Sequence, residues 1–328
     1  MAGEAVFRPP AQVRLHEAPR AWIPGLPPPE RSDRVMKSLR PYLAPYLMIS
    51  PFYLLFMVFG LFPILFSLYL AFHAWDGLGE MKFIGLRNFT NLITDDPDFW
   101  ISVGNTFAIW FMSTVPQLFA ALVVAFLLNA AFLKFKDGFR AIYFLPNITS
   151  IVAVAIIFGS FFGTEFGLIN GLLGAAGLPR IDWLNDTLWV KAAISLMVIW
   201  RWTGYNAIIY LAGLQSIPND LYEAATIDGA SKTQQFLSIT LPLLKPIILF
   251  TVILSTIGGM QLFTEPMILT GNSGGATKGG LTLVLYLYNQ AFVNQMFGYA
   301  SAIAWVLFIL IGAFSFINWK FVSRGERV

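Results

Sequence analysis

Residues 223–246 read EAATIDGASKTQQFLSITLPLLKP, a polar, helix-forming island between two long apolar stretches. Such an island lies beside a bilayer rather than within it. The Asp228-Gly229 pair is a turn signal: glycine takes φ > 0 without steric cost, so one short helix can end there and a second start at an angle. Ala224, Ala225 and Ala230 keep the surfaces thin, which suits insertion into a cleft. A plainer reading is a loop helix ended by Gly229, with Pro242 starting the next helix. That reading needs the glycine alone and leaves Glu223, the alanines and Phe236 without a reason.

Composition places the rest of the chain in lipid. Apolar residues make up 57% of the 328 and charged residues 12%, with a mean hydropathy of +0.67. A soluble domain is about a quarter charged. The sequence has no cysteine, and its two histidines, His16 and His73, lie far apart. Zinc, disulfide and thiol chemistry are therefore not expected. No G-x-x-x-x-G-K-[ST] run occurs, so if ATP drives this protein another chain binds it. The composition gives no sign of nucleic-acid binding.

Apolar runs long enough to cross about 30 Å of hydrocarbon are expected at 43–73, 104–132, 141–163, 188–213, 246–269 and 297–320. They predict an all-α polytopic membrane protein with six transmembrane helices. The run from Leu281 to Phe292 is too short to cross and predicts an external or re-entrant helix. Prolines 51, 63, 116 and 146 lie inside the expected spans, where membrane helices tolerate kinks. Two domains are expected: a basic tail over 1–41 and a six-helix transmembrane unit over 42–328. The tail holds eight of the nineteen prolines and seven basic residues against four acids. It has no helical periodicity, and a cleavable signal peptide fits it poorly. Arg34 to Arg40 suit either an anionic lipid surface or a solvated tail. Deleting residues 1–30 is expected to leave function intact, and loss of assembly in the truncated chain would show that the tail docks on a partner.

Orientation follows from the basic residues of the loops. With the N-terminus inside, fifteen lysines and arginines face the cytoplasm and five (Lys82, Arg87, Arg180, Lys191, Lys278) face out. Both termini and the 223–246 island are then cytoplasmic.

Glu223-Ala224-Ala225, Asp228-Gly229-Ala230, Phe236, Pro242 and Pro246 resemble the EAA loop of ABC importer permeases. The resemblance extends to Phe83-Ile84-Gly85-Leu86-Arg87-Asn88-Phe89, Phe99-Trp100, Asn105-Thr106, Trp200 to Gly204, Leu214 to Pro218, Gly259 to Pro266, Leu285 to Tyr288 and Gly298 to Ala302. It covers about 45–320 and is closest to the maltose and lactose branch, a type I importer fold with a cytoplasmic coupling helix. It implies a plasma-membrane subunit of a prokaryotic, binding-protein-dependent carbohydrate importer that is not itself an enzyme. It implies a second homologous permease forming a heterodimer, two ATPase subunits using ATP and magnesium, and an extracytoplasmic solute-binding protein. It also implies that Glu223 meets basic groups of the ATPase, that Asp228 and Gly229 shape the turn, and that Ser231 to Phe236 form the coupling helix within an EAA segment of 214–246. The long external domain of the enterobacterial maltose permease is absent.

Arg201 is the one charge deep in an expected span, twelve residues before Gly213 and so roughly 18 Å from that end. A central arginine costs about 2.5–3.5 kcal/mol on insertion scales. It must face water, a partner or a ligand. With Trp202, Tyr205 and Asn206 around it, it suits a saccharide pathway; equally, it suits a pin held by carbonyls or by Glu265. Gln261 and Glu265, one turn apart, are expected on one face of the fifth helix. Gln261 is read as a pathway residue, and Glu265 as either a substrate contact or a group reaching headgroup water. Gln117, Asn105 and Ser255 are weaker pathway candidates. A secondary transporter or channel for a small polar solute shares the hydropathy but needs no EAA loop. A membrane enzyme would need a nucleophile or metal set, and none is visible. Within the importer class a disaccharide or short oligosaccharide is the expected cargo, with glycerol phosphate or a polyol as the alternative.

Overall fold

The computed structural model describes residues 45–130 and 134–323, so the expected tail lies outside the described residues. The chain divides at Phe62 into two compact units. Within the first, helix α1 (Pro45–Ala71) begins; its side chains from Tyr46 to Phe59 are mostly exposed aromatic and aliphatic groups. A π-helical turn, Met57–Leu61, lies within it.

In the second unit a short hairpin, β1 (His73–Ala74) and β2 (Lys82–Phe83), pairs antiparallel with His73 opposite Phe83. Buried Asn88, on α2 (Arg87–Thr94), holds it by donating to the carbonyls of Ala71 and His73 at 2.9 and 3.0 Å. Helix α3 (Pro97–Asn129) follows. Its start is set by Asp96, whose carboxylate accepts from Phe99 N at 3.0 Å, with Pro97 in the first turn where no N–H is needed. The phenols of Tyr286 and Tyr299 also donate to Asp96. Burial first, and then this bond to Asp96, push the Tyr286 phenol well above its ordinary range, so it remains a donor.

Two buried clusters fix the topology. Ile109 of α3 packs with Ile194 and Met197 of α7 (Trp189–Gln215). Farther along both helices, Ala121 and Leu128 of α3 pack with Tyr210 and Leu214 of α7. The two helices therefore run in the same direction, and the chain between them must return across the bundle. That return is α4 (Lys136–Ile148) plus α5 (Ile151–Phe161), bent by 93° at Thr149-Ser150. The third crossing was expected as one run over 141–163; it is a broken span, because α4 ends two residues after Pro146 and a new helix starts at a different angle.

After α6 (Leu168–Ala175) and α7 come α8 (Asn219–Ile227), α9 (Lys232–Gln235), a π-helical turn (Phe236–Thr240) and α10 (Leu241–Met260). Then follow α11 (Thr264–Thr270), α12 (Leu283–Tyr288) and α13 (Phe297–Ser323). By length and apolarity α1, α3, Lys232–Thr270 and α13 qualify as spans, and the bent pair makes a fifth. Helix α7 is 27 residues long, about 40 Å, and carries Lys191, Arg201 and Asn206 through an otherwise apolar run. It lies where the crossing over 188–213 is expected. The expected short helix near 281–292 is α12, extended by a π-helical turn to Val293 and buried at Leu283 and Leu285.

Candidate functional site

The island quoted first folds as a hairpin of helices. Helix α8 carries Glu223, Ala224 and Ala225, and Glu223 and Ala224 are exposed. Gly229 takes φ of +80°. Ala230 N–H donates to Ala225 O at 2.9 Å and Gly229 N–H to Thr226 O at 3.1 Å, the paired bonds that close a helix end on a left-handed glycine. Asp228, exposed, is the last residue before that turn. Ser231 then caps α9: its Oγ accepts from Gln234 N at 3.3 Å, and Gln234 Oε1 accepts from Ser231 N at 2.8 Å.

Sequence reading missed what clamps the hairpin. Buried Gln235 donates to Thr226 Oγ1 at 2.9 Å and Ala230 O at 3.3 Å, and Tyr222 OH meets Thr240 Oγ1 at 2.8 Å. The expected coupling helix from Ser231 to Phe236 corresponds to α9 with its caps, and it continues into the next helix. Ser231 is a cap, and Lys232 opens a helical stretch that runs through the π-turn into α10. The free-standing short helix is α8. Phe236 turns back against Phe126 of α3, with ring centroids 5.0 Å apart. Pro242 is exposed just after the π-turn. Its missing N–H leaves the Ser238 carbonyl without its helical donor, which is where a wider turn is tolerated.

At the other end of α10 lies a cavity of about 210 Å³. Trp202, Tyr205 and Asn206 of α7 line it, facing Gln117 and Thr114 of α3 and Ser255 of α10. The rings of Trp202 and Tyr205 meet edge to face at 5.5 Å. Asn206, 2% exposed, donates to Trp202 O at 3.2 Å, and Gln117 donates to Ser255 Oγ at 3.4 Å. The polar groups are thus amides and hydroxyls set among aromatic and aliphatic walls, a lining suited to a ligand rich in hydroxyls.

Arg201 is not part of that lining. Its guanidinium donates to the carbonyls of Thr149 (3.2 Å) and Asn147 (3.4 Å), at the break between α4 and α5. Carbonyls at a helix C-terminus lack intrahelical donors, and a cation satisfies them. Of the two readings left open, the geometry supplies the pin. Glu265 also departs from expectation. It is 4% exposed, so it does not reach headgroup water. Gln261 ends α10 with φ of −107° and is exposed, and α11 begins only at Thr264. The two residues therefore do not share a helix face. Asn105 is also elsewhere, donating to Lys278 O and Leu281 O at 2.7 and 3.1 Å.

Residues 117–326 match the family described as binding-protein-dependent transport system inner membrane component. The chain belongs to that family. It is 41% identical over 286 residues to the lactose transport system permease protein LacF of Rhizobium radiobacter, covering 86% of this chain and 94% of that one. It is 39% identical to the arabinooligosaccharides transport system permease protein AraP of Bacillus subtilis strain 168, covering 86% and 90%. Its fold matches a chain of the crystal structure of a bacterial ABC transporter involved in the import of the acidic polysaccharide alginate. That match has a TM-score of 0.77 and 24% identity, covering 89% of this chain and 99% of the other. The permease is thus a multi-pass membrane component with the type I importer architecture.

Asn206→Ala and Gln117→Ala in this permease are expected to raise the cargo concentration for half-maximal uptake about five- to tenfold, one lost hydrogen bond each. Exposed Gln261→Ala should move it less. Equal sugar dependence in all three variants at normal complex levels would remove the cavity from the pathway.

Proposed function

We propose that this permease forms half of the translocation pathway of an ATP-driven importer for a disaccharide or short oligosaccharide. A separate ATPase drives it through the 214–246 segment. One observation carries the reading: helical chain runs from Lys232, beside the exposed α8, to Met260. The cavity residues Leu254, Ser255, Gly258 and Gly259 lie near its end. A displacement of the hairpin is thereby carried along about 40 Å of helix to the cavity wall. Glu223, exposed on α8, is the acidic contact for the ATPase, and Gln235 and Tyr222 make the hairpin move as one piece. This is alternating access by rigid-body rocking, driven by two partner chains that bind ATP with magnesium and hydrolyse it.

The remaining assembly follows from the same reading. A second, homologous permease completes the pathway, an extracytoplasmic solute-binding protein delivers the cargo, and both termini face the cytoplasm. The names of the lactose and arabinooligosaccharide relatives support a saccharide cargo. The cavity supports it too, since its lining side chains are all uncharged. Such a lining matches neutral hydroxyl-bearing cargo better than glycerol phosphate, whose charge needs a cation once water is stripped away.

The test is reconstitution in proteoliposomes with the copurified ATPase and second permease, combined with binding of a sugar panel to the cognate solute-binding protein. Uptake of a di- or oligosaccharide that requires both ATP and the binding protein is expected. Uptake driven by a proton gradient without ATP would overturn the proposal.

A further inference from the structure

Beside the clamped hairpin lies an open groove of about 1270 Å³, far larger than the cavity at the other end of α10. Its apolar wall comes from the last turns of α3. Phe119, Val123 and Leu127 stand on one stripe at 70%, 43% and 54% exposure. That stripe is about 12 Å long, close to the hydrocarbon depth of one leaflet, which is about half of 30 Å. The other end of the groove is polar, with Asn129, Asn219, Thr233 and Lys232. Among the described residues, no aspartate or glutamate lines it. Glu223 instead opens on a shallower cleft across α8.

Two ammonium groups stand at the polar end. Lys232 lines the groove and uses one donor on Gln235 Oε1 at 3.2 Å, which leaves two of its three donors for another acceptor. Lys136 reaches the Asn129 carbonyl at 3.5 Å, and Asn129 is part of the groove wall. An apolar trough one leaflet deep, with Lys232 in its lining, Lys136 beside its Asn129 wall and no carboxylate lining it among the described residues, is complementary to an acyl chain ending in a phosphodiester.

We infer that this groove binds one anionic phospholipid of the adjacent leaflet, with an acyl chain along Phe119, Val123 and Leu127 and its phosphate between Lys136 and Lys232. The lipid then touches both α3 and the hairpin of α8 and α9. The headgroup charge of the membrane becomes a component of the region that the ATPase is proposed to push. The inference does not depend on the identity of the cargo.

The test uses the complete transporter, delipidated in detergent and titrated with phosphatidylglycerol or phosphatidylcholine under native mass spectrometry. The wild-type complex is expected to retain one more phosphatidylglycerol than a Lys136→Ala/Lys232→Ala complex. Its affinity for that lipid should be roughly 30-fold higher, on the scale of two basic residues at a lipid surface. Val123→Trp, which keeps both lysines and fills the trough, should lose the same lipid. Phosphatidylcholine should not occupy the site at equal concentration, and inorganic phosphate should not displace phosphatidylglycerol. Equal retention in wild type and both variants would overturn the inference, and displacement by phosphate would reduce the site to a bare anion contact. A photo-cross-linking residue at Val123 in an otherwise wild-type chain provides a readout independent of variant assembly. Labelling of lipid is expected; labelling of the second permease or the ATPase would show that protein covers the groove.

Discussion

Gly229→Val is expected to abolish cargo uptake in the reconstituted transporter while the six-helix subunit still inserts and assembles. Gly229 holds φ of +80° and has open space where a Cβ would stand, so crowding is not the obstacle. The backbone is. A β-branched residue in this region is strained by about 1–3 kcal/mol, and the chain relieves that strain by giving up the bonds from Gly229 N and Ala230 N. The turn between α8 and α9 then opens, and Glu223 no longer has a fixed position relative to Lys232. Glu223→Ala leaves the turn intact and removes only the charge, so it is expected to give the same uncoupling with an unaltered hairpin. In both variants ATP hydrolysis should lose its dependence on cargo-loaded binding protein, and uptake should fall at least about tenfold, the equivalent of 1.4 kcal/mol. Normal cargo-stimulated transport by both would remove the hairpin from the coupling path.

The second large effect is expected from Gly204→Ala, and it concerns assembly rather than coupling. A Cβ on Gly204 of α7 would land on the backbone carbonyl oxygen of Tyr143 in α4, inside contact distance. A flexible side chain would swing away, but a carbonyl within a helix cannot. The two helices must separate, and the carbonyls of Asn147 and Thr149 then leave Arg201, whose guanidinium is held there at 3.2 and 3.4 Å. Overpacking alone costs about 1–3 kcal/mol, and freeing a paired arginine in a span adds a comparable amount. Assembled complex recovered by size exclusion should drop to about a tenth or less of wild type, on the ratio of tenfold per 1.4 kcal/mol. Gly104→Ala in α3, where a Cβ meets nothing within 4 Å, is the matched control and should assemble normally. A Gly204→Ala complex with wild-type yield would mean that α4 and α7 do not touch in the membrane.

The parts of this fold that could be read from sequence are those where a single residue type carries a single physical meaning. Asp228-Gly229 marked the turn because few residues other than glycine accept positive φ. The crossings were visible as apolar length, and Gln117, Tyr205 and Asn206 stood out as polar groups within it. The bend was not visible. A run such as 141–163 is equally apolar whether straight or bent by 93°. The break after Met260 had a signal in Gly258-Gly259 followed by Pro266, a helix stop and a first-turn proline, but the apolar length of 246–269 masked it. Arg201 could be placed by depth and not by partner, since carbonyls are present in every residue and leave no mark in a sequence. For the same reason Gln235 and Tyr222 were invisible: their partners, Thr226, Ala230 and Thr240, become neighbours only once the hairpin closes.

In the proposed mechanism, the π-helical turn at Phe236–Thr240 is the point at which the helix flexes. From Thr240 to Met260 the chain is helix, a rod about 30 Å long. Tilting such a rod by about 10° about its base moves its tip by about 5 Å, close to one helical pitch. A wider turn beside Pro242, where one backbone bond is already missing, bends at less cost than a regular α-helical turn. The angle needed to open or shut the cavity wall is therefore small enough to be absorbed within five residues, and the cargo side can change shape while every hydrogen bond of the rod itself stays closed.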